Sequence, residues 1–443
     1  MKKITPLFLA FLAVTGLSAQ TSSPFLALGP MIGHTSPNDT RIWAKASQAS
    51  RLAVRIGREA DLVDARVVAG PALGGESDFM GHLLITGLQP ATTYHYTILL
   101  DGQPAMVRPY PSFTTAPAIG EPGRTRIAFS SCVGRNGYQT AAIWAEMSAR
   151  TRFDMLLMLG DNHYADSTVP EVQRRAYYDH RSALGYAEIT RRVPTYAIWD
   201  DHDYGPNDSD RTAQGKEISL QTFQQLWANP SYGQANDPGV YFKLSRGEID
   251  FFMLDNRYHR SPNIAPDDEN KTMLGAAQLA WLKRELLASK AKVKFIASGS
   301  EWEKNGHRDS WTSFPRERDE IFGFLSEHDV QGVIFLSGDR HFTGAYQING
   351  RFIEVTSGPL GTSTTNGINK PDMFLNLVDG TMCSVFDIDT TGAMPKVTLE
   401  VYRGGGGKIH ERTFTWDEIN GRTQIPTLPP PPPQPPKATP KKK

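Results

Sequence analysis

The chain has 443 residues, and its 47 Lys and Arg residues balance 47 Asp and Glu residues. This length allows one large hydrophobic core and a smaller second domain. Because the net charge is zero, no strong overall field favours a nucleic acid or an anionic membrane as a partner, and we expect no specific nucleic-acid binding.

Residues 1–19 have the features of a secretory signal peptide. Lys2 and Lys3 precede an apolar run at 7–17, and Ser18 and Ala19 follow it. This run is too short to span a bilayer, and no later stretch reaches the apolar length of a transmembrane helix. The sequence therefore predicts an exported protein, periplasmic or extracellular, without a transmembrane segment.

Residues 25–117 are predicted to form a small β-sandwich domain. Short runs of alternating polarity occur at 40–46 and 52–57. The segment 87–98 is similar to the corner of a fibronectin-like sandwich, in which a tyrosine such as Tyr94 bonds to the backbone of the preceding turn. Residues 118–125 contain Gly120, Pro122 and Gly123 and are predicted to be the linker to the next domain.

Residues 126–415 alternate apolar runs with helical patterns, which predicts a layered α/β domain. Four predicted strands, at 126–130, 155–159, 193–199 and 330–336, end in side chains that can bind metals. Ligands bind at the carboxyl ends of the strands in open α/β sheets. The side chains in question are Cys132; Asp161, Asn162, His163, Tyr164 and Asp166; Asp200, Asp201, His202 and Asp203; and Asp339 and His341.

Each of these stretches alone is also compatible with an ordinary polar turn. However, consecutive carboxylates such as Asp200 and Asp201 repel one another unless a cation compensates them. Their coincidence with similar residues at three other strand ends favours a metal-dependent hydrolytic centre. The sequence has neither a G-x-S-x-G elbow nor a P-loop, which argues against a serine hydrolase or an NTPase of those types.

Five ordered motifs carry a family resemblance. They are SSC at 130–132, GDNHYAD at 160–166, WDDHDYGPND at 199–208, RDSWTSFPRERDEIFGFL at 308–325 and SGDRHF at 337–342. Together they resemble the PhoD-type alkaline phosphatases, a branch of the calcineurin-like metallophosphoesterases. The resemblance covers about residues 25–403. It implies a four-layer αββα core after the N-terminal β domain, and a mixed centre of Fe³⁺ and Ca²⁺.

The resemblance also implies a set of metal ligands. Asp161 lies at the strand end best suited to bridge two cations. Cys132 and Tyr164 would complete the iron side, together with His341. Asp201 and Asp339 replace amide and imidazole ligands of the wider superfamily, which shifts the second site toward calcium and its preference for oxygen.

His202 is the predicted catalytic group that does not bind metal. We expect it to protonate the leaving alkoxide or to stabilise the charge on phosphorus, with Asp203 fixing its tautomer and a metal-bound hydroxide as the nucleophile. Structural hydrogen bonding by His202 is the alternative. Arg135, Asn136 and Asn207 are weaker candidates for substrate binding, and each is also typical of a surface loop.

The two cysteines, Cys132 and Cys383, leave two alternatives open in an exported chain. They could form a disulfide. The family resemblance instead assigns Cys132 to iron, and Cys383 is then a free, buried side chain.

Residues 426–443 are rich in proline and end in lysines, which predicts an extended, disordered basic tail. The functional prediction is an exported phosphatase or phosphodiesterase that hydrolyses small-molecule phosphate esters for phosphate acquisition. A phospholipase D-like phosphodiesterase is one alternative. The alternative from another class is a surface-bound binding protein that metals stabilise and that has no turnover.

Overall fold

The computed structural model describes residues 23–304, 307–365 and 371–429. The predicted signal peptide and residues 430–443 of the predicted tail lie outside the described residues. Within the described part, no helix combines the length and the apolar character that crossing a membrane requires.

The N-terminal part is built from two antiparallel sheets. Its strands are β1 (Leu26–Thr35), β2 (Asp39–Ala46), β3 (Ser50–Gly57), β4 (Arg66–Leu73), β5 (Met80–Thr86), β6 (Thr93–Leu100), β7 (Gln103–Pro104) and β8 (Ser112–Thr114). One sheet has the order β1-β2-β5, and the other has the order β4-β3-β6-β7 with β8 also paired to β6. Alternate residues of both sheets, such as Ile42 and Val54, are buried in one shared core. Tyr94 accepts a hydrogen bond from the Gln89 N–H at 3.0 Å, the corner contact expected from the sequence.

The larger part of the chain forms two further sheets and the helices that cover them. Its strands are β9 (Arg124–Ser130), β10 (Met155–Leu159), β11 (Thr195–Ile198), β12 (Phe242–Arg246), β13 (Ile249–Met253), β14 (Val293–Ser298), β15 (Val333–Ser337), β16 (Thr343–Ile348), β17 (Phe352–Thr356), β18 (Met373–Leu377), β19 (Met382–Asp389), β20 (Lys396–Arg403) and β21 (Gly407–Phe414). Its helices are α1 (Ala141–Arg150), α2 (Pro170–Arg181), α3 (Leu184–Thr190), α4 (Asp201–Tyr204), α5 (Lys216–Leu226), α6 (Ala276–Ala288), α7 (Pro315–Glu327) and α8 (Trp416–Ile419).

Both large sheets contain a run of neighbouring parallel strands. The six-stranded sheet has the order β11-β10-β9-β19-β20-β21, in which β9, β10 and β11 are parallel. The seven-stranded sheet has the order β12-β13-β14-β15-β17-β16-β18, in which β13, β14, β15 and β17 are parallel. Neighbouring parallel strands end at one edge of their sheet, so the loops that follow them converge. The prediction of a mixed α/β fold is confirmed.

Aromatic side chains join the two large sheets. Phe386 of β19 stacks on Phe129 of β9 at 5.5 Å between ring centroids, and it contacts Phe295 of β14 at 5.3 Å. The other face of the seven-stranded sheet is covered by α6 and α7, through buried side chains such as Leu282 and Phe322. All residues of strand β10 are apolar, which suits a strand that is buried along its whole length.

The N-terminal sheets dock on the last turn of helix α5, on the loop after it and on helix α2. The backbone N–H of His34 donates to the Ala228 carbonyl at 2.7 Å, and the Trp43 indole donates to the Gln225 carbonyl at 3.0 Å. The Arg181 guanidinium lies over the Trp43 ring at 4.2 Å. Hydrogen bonds, apolar burial and a cation–π contact therefore hold the two parts together.

Candidate metal centre

The candidate centre is assembled where β9, β10 and β15 end. Cys132, Asp161 and Asp339 follow these strands closely and have φ values of 62°, 52° and 63°. Non-glycine residues rarely adopt this left-handed conformation, and they do so mainly where the surrounding structure fixes the backbone. Each residue therefore turns its side chain away from the strand direction at a sharp corner.

The four predicted iron-side ligands lie together. Donor atoms of Cys132, Asp161 and His341 all lie within 4.8 Å of one another. The Cys132 Sγ is 3.4 Å from Asp161 Oδ2. The Tyr164 hydroxyl is 3.0 Å from the same carboxylate oxygen and 3.3 Å from His341 Nε2. One sulfur, one phenol, one imidazole and one carboxylate thus face a common point.

A second group of carboxylates adjoins the first. Oxygen atoms of Asp200, Asp201 and Asp339 lie within 4.8 Å of one another, and so do ligand atoms of Asp161, Asp201 and His202. Asp161 belongs to the group with Cys132 and His341 and to the group with Asp201 and His202. This position is the one that a carboxylate bridging two cations requires.

Four carboxylate oxygens at this centre are buried without a hydrogen-bond partner among the described residues. They are Asp161 Oδ1, Asp200 Oδ2, Asp201 Oδ1 and Asp339 Oδ2. The Arg257 guanidinium compensates part of this negative charge, because it lies 2.5 Å from Asp200 Oδ1 and 3.6 Å from Asp201 Oδ1. The remaining buried carboxylate charge is costly unless a cation coordinates it. The donor set therefore fits metal ions.

The raised pKa values of two of these groups are consistent with a metal site. Burial, and then repulsion from Asp201, raises the pKa of Asp161 well above its usual value. Burial, and then the neighbouring Asp161, raises the pKa of the Cys132 thiol. Metal binding requires the deprotonated forms, so cations at this centre would displace the protons that burial and repulsion favour.

The sequence placed Asp200 among the ligand-type residues without assigning it a role, and it did not predict Arg257, the partner of Asp200, as a site residue. Asp200 Oδ1 accepts from Arg257 Nε at 2.5 Å and from Asn256 Nδ2 at 3.0 Å. The Arg257 guanidinium is fully buried and also donates to Asp309 Oδ2 at 2.6 Å. The polar residues 255–258 at the end of β13 were the available signal, because they mark one more strand end of the ligand-bearing type.

The contact of His202 differs from the prediction. His202 Nδ1 lies 2.5 Å from Asp166 Oδ1, and the imidazole packs on the Tyr164 ring at 4.0 Å between centroids. Asp166, and not Asp203, therefore fixes the orientation of His202.

The Asp203 carboxylate accepts hydrogen bonds from the backbone around it. Its Oδ2 accepts from the Asp200 N–H at 3.0 Å, and its Oδ1 accepts from the Asn162 N–H at 2.9 Å and the Tyr177 hydroxyl at 3.2 Å. Asp203 is the third residue of α4, from which an acidic side chain bonds back to the residue that caps the helix. This capping explains why Asp203 does not contact His202.

The three predicted substrate-binding residues lie near the centre in different settings. The Arg135 side chain is exposed and lines a groove. Asn136 caps a short 3₁₀ helix by accepting from the Gln139 N–H at 3.3 Å. Asn207 donates to Asp208 Oδ1 at 2.8 Å, and the Asp208 N–H donates to Asp201 Oδ2 at 2.8 Å. Substrate contact by these residues stays a prediction.

The cysteines do not form a disulfide. Both are buried and free. Cys132 faces the candidate metal ligands, whereas the Cys383 Sγ points to the Phe129 carbonyl at 3.6 Å. The alternative of a pairing between them is therefore excluded in this structure.

Comparisons with known proteins identify similar families and folds. The model of the PhoD-like phosphatase family matches residues 127–384, and the model of a domain of unknown function (DUF7800) matches residues 23–118. Alkaline phosphatase D of Bacillus subtilis (strain 168) is 25% identical over 351 residues, which are 66% of this chain and 59% of that protein. Purple acid phosphatase 23 of Arabidopsis thaliana is 25% identical over 333 residues, which are 71% of this chain and 65% of that protein. The chain thus spans less than two thirds of the length of these two relatives.

Two solved structures share the fold. A structure of PhoD superposes with a TM-score of 0.72 at 19% identity, covering 88% of this chain and 93% of that one. A purple acid phosphatase, PPD1, from seeds of yellow lupin (Lupinus luteus) superposes with a TM-score of 0.66 at 14% identity, covering 92% of this chain and 77% of that one.

Proposed function

Because the chain belongs to the PhoD-like phosphatase family, we propose that it is a metal-dependent phosphoesterase that hydrolyses small-molecule phosphate esters. The observation that carries this proposal is the cluster of buried carboxylate oxygens around Asp161 that have no hydrogen-bond partner among the described residues, beside Cys132, Tyr164 and His341. Four such oxygens in one enclosed place favour bound cations, and paired cations suit phosphoryl chemistry.

The ligand chemistry supports iron and calcium as the two metals. Cys132, Asp161, Tyr164 and His341 would hold Fe³⁺, since a thiolate, a phenolate and an imidazole suit iron better than calcium. Asp161, Asp201 and Asp339, with Asp200 beside them, would hold Ca²⁺ through oxygen atoms alone. When bound, the cations would lower the pKa of water and neutralise charge on the phosphate.

The side chains of this centre have distinct tasks in the proposed reaction. Asp166 holds His202 through Nδ1, which leaves Nε2 as the nitrogen that can exchange a proton with the ester. Protonated His202 would give the Nε2 proton to the oxygen of the leaving group, and Asp166 would stabilise the imidazolium that is present before this transfer. Burial raises the pKa of Asp200 to about 6, and the Arg257 guanidinium opposes this rise from the buried side.

Further parts of the proposal concern architecture and location. The packing of helices on the outer faces of two stacked sheets supports a four-layer αββα core, and the shared core of the N-terminal sheets supports a fibronectin-like sandwich. The leader-like residues 1–19 support export, and export supports a role in phosphate acquisition. A phospholipase D-like diesterase would use the same centre.

The first test is metal content by elemental analysis, together with turnover of p-nitrophenyl phosphate and bis-p-nitrophenyl phosphate before and after chelation. We expect iron and calcium, and turnover that the chelator abolishes. The ratio of the two rates decides between a phosphatase and a diesterase. Metal-bearing protein that hydrolyses neither ester would instead support a binding protein that metals stabilise.

A pair of variants tests the ligand assignment. Cys132→Ser should lose iron before calcium, because a hydroxyl is a poor substitute for a thiolate. Cys383→Ser is the matched control, since Cys383 is equally buried but does not contact the candidate ligands, and it should retain both metals. Full iron content and activity in Cys132→Ser would contradict the assignment.

A further inference from the structure

A groove of about 530 Å³ opens beside the candidate metal centre. One end is formed by Arg135, three residues after Cys132, and by Ala165, which lies between Tyr164 and Asp166. One wall is formed by helix α2, through Val172, Arg175 and Ala176 among others. The groove therefore includes a residue directly next to the two that contact His202, Tyr164 and Asp166.

The two sides of the groove are fixed to each other. The Gly137 N–H donates to Asp179 Oδ2 of α2 at 2.7 Å, and His180 Nε2 of α2 lies 3.1 Å from the Gly134 carbonyl. Gly134 and Gly137 lie on either side of Arg135 in the chain. The loop that carries Arg135 is thus held against α2, so the groove exists before any ligand enters it.

The lining of the groove combines two arginines, a small apolar surface and the Asp179 carboxylate, whose Oδ2 accepts from the Gly137 N–H. Arg135 and Arg175 are exposed, and within the described residues neither guanidinium has a hydrogen-bond or ion-pair partner. The preceding residue, Arg174, differs because its Nη2 donates to Gln225 Oε1 at 2.9 Å. Val172 is 45% exposed, although it is apolar. Two unpaired guanidinium groups beside an apolar strip suit an anion carried on a small apolar body.

We propose that this groove binds the leaving group of the phosphate ester, and that Arg135 and Arg175 select leaving groups with a negative charge of their own. The proposal rests on the proposed phosphoesterase function and adds a substrate class to it. The transferred phosphate stays at the carboxylate cluster, while the arginines contact the part of the ester that departs. Arg135 then acts as a specificity residue and not as a ligand of the transferred phosphate.

The test compares two monoesters with similar leaving groups, phenyl phosphate and 4-carboxyphenyl phosphate, on the metal-loaded protein. We expect kcat/KM to favour the carboxylated ester. Arg135→Ala and Arg175→Ala should each lower kcat/KM for that ester by about 3- to 10-fold, as for partly exposed ion pairs, and change it less than twofold for phenyl phosphate. High salt should reduce the preference of the unchanged protein in the same direction.

The matched control is Arg150→Ala. Arg150 is an exposed arginine of α1 that lines a different pocket, so its loss should leave the ratio of the two esters unchanged. Equal losses for both esters in Arg135→Ala would overturn the proposal and make Arg135 a ligand of the transferred phosphate. Unchanged ratios in both groove variants would overturn it as well, while the hydrolysis of phenyl phosphate would still support the phosphoesterase.

If neither ester is hydrolysed, the proposed activity fails, and a binding measurement then tests the groove proposal separately. Calorimetric titration of 4-carboxyphenyl phosphate into the unchanged protein and the two groove variants gives this readout. Weaker binding to the variants by about 3-fold or more supports the groove, and equal affinities overturn it.

Discussion

Asp166 and Asp203 flank the catalytic candidate His202 in different ways. Asp166 contributes a carboxylate oxygen to the imidazole Nδ1, whereas Asp203 accepts hydrogen bonds from two backbone N–H groups and from Tyr177. The first carboxylate positions a side chain, and the second holds the backbone of α4 and of the loop after β10. Substitution should therefore separate an effect on turnover from an effect on stability.

Asp166→Asn should lower kcat by about 10- to 100-fold, the usual range for the loss of a residue that orients a functional histidine. The amide can still accept from Nδ1–H, but it does not stabilise the imidazolium by charge. Because Asp166 is partly exposed at the surface of the centre, metal content and thermal stability should change little. Turnover of a chromogenic ester, elemental analysis and a melting curve measure the three quantities. An unchanged kcat would show that His202 does not need this partner.

Asp203→Asn should have the opposite profile. One end of an amide is a donor, and at this position it would face either the Asp200 N–H or the Asn162 N–H. A buried donor left facing another donor costs about 1–3 kcal/mol. Urea unfolding of the chelated protein would measure this loss in the free energy of unfolding. A loss no larger than that of Asp166→Asn would contradict the assigned structural role.

At the scale of the elements, the strands that carry the centre were predictable. The predicted strand at 155–159 coincides with β10, Met155–Leu159, because an apolar run buried on both faces has a clear local signature. The convergence of Cys132, Asp161 and Asp201 followed from the rule that parallel strands end at one edge of a sheet. Asp339 follows β15 of the other sheet, and only the stacking of the two sheets brings it to the same place. The contacts of Asp166 with His202 and of Arg257 with Asp200 were not predictable, since they join different elements and leave no local pattern.

Gly160 tests how tightly the strand ends are packed. It has a φ of 94°, and a Cβ at this position would lie 2.7 Å from the Asp200 Cβ and 2.8 Å from the Asp200 N. A backbone neighbour cannot move aside, so Gly160→Ala should force the ends of β10 and β11 apart. We expect a loss of about 2 kcal/mol or more in the free energy of unfolding and a lower metal content.

Gly323→Ala in α7 is the control for Gly160→Ala. A Cβ there would meet no atom within 4 Å, and alanine favours a helix by up to about 1 kcal/mol. Denaturant unfolding should therefore show a small gain for Gly323→Ala and a loss for Gly160→Ala. A Gly160→Ala protein with unchanged stability and metal content would show that the strand ends relax easily.

At the scale of the whole molecule, the N-terminal sheets support the centre through contacts with residues 225–229. His82 Nε2 lies 2.9 Å from the Gln225 carbonyl, and Arg41 Nη1 donates to the Asn229 carbonyl at 2.7 Å. The Asn229 side chain in turn accepts from the Ala197 N–H at 3.2 Å and donates to the Ala197 carbonyl at 2.8 Å. Ala197 belongs to β11, the strand that leads to Asp200 and Asp201. The docked domain thus braces the strand that carries half of the carboxylates.

This docking should weaken in acid, because burial lowers the pKa of His82 from 6.5 to about 4. Below pH 6.5 the unfolded chain binds a proton at this residue that the folded protein excludes, so stability falls as the pH falls from 6.5 towards 4. Between pH 7 and pH 5 the loss amounts to about 2 kcal/mol.

His82→Gln has no titratable group there, and its stability should fall by about 2 kcal/mol less than that of the unchanged protein over this range. Exposed His328→Gln is the control and should show the full fall. Urea unfolding of chelated proteins at both pH values measures the difference, and identical falls in all three proteins would contradict a neutral, buried His82 at the domain interface.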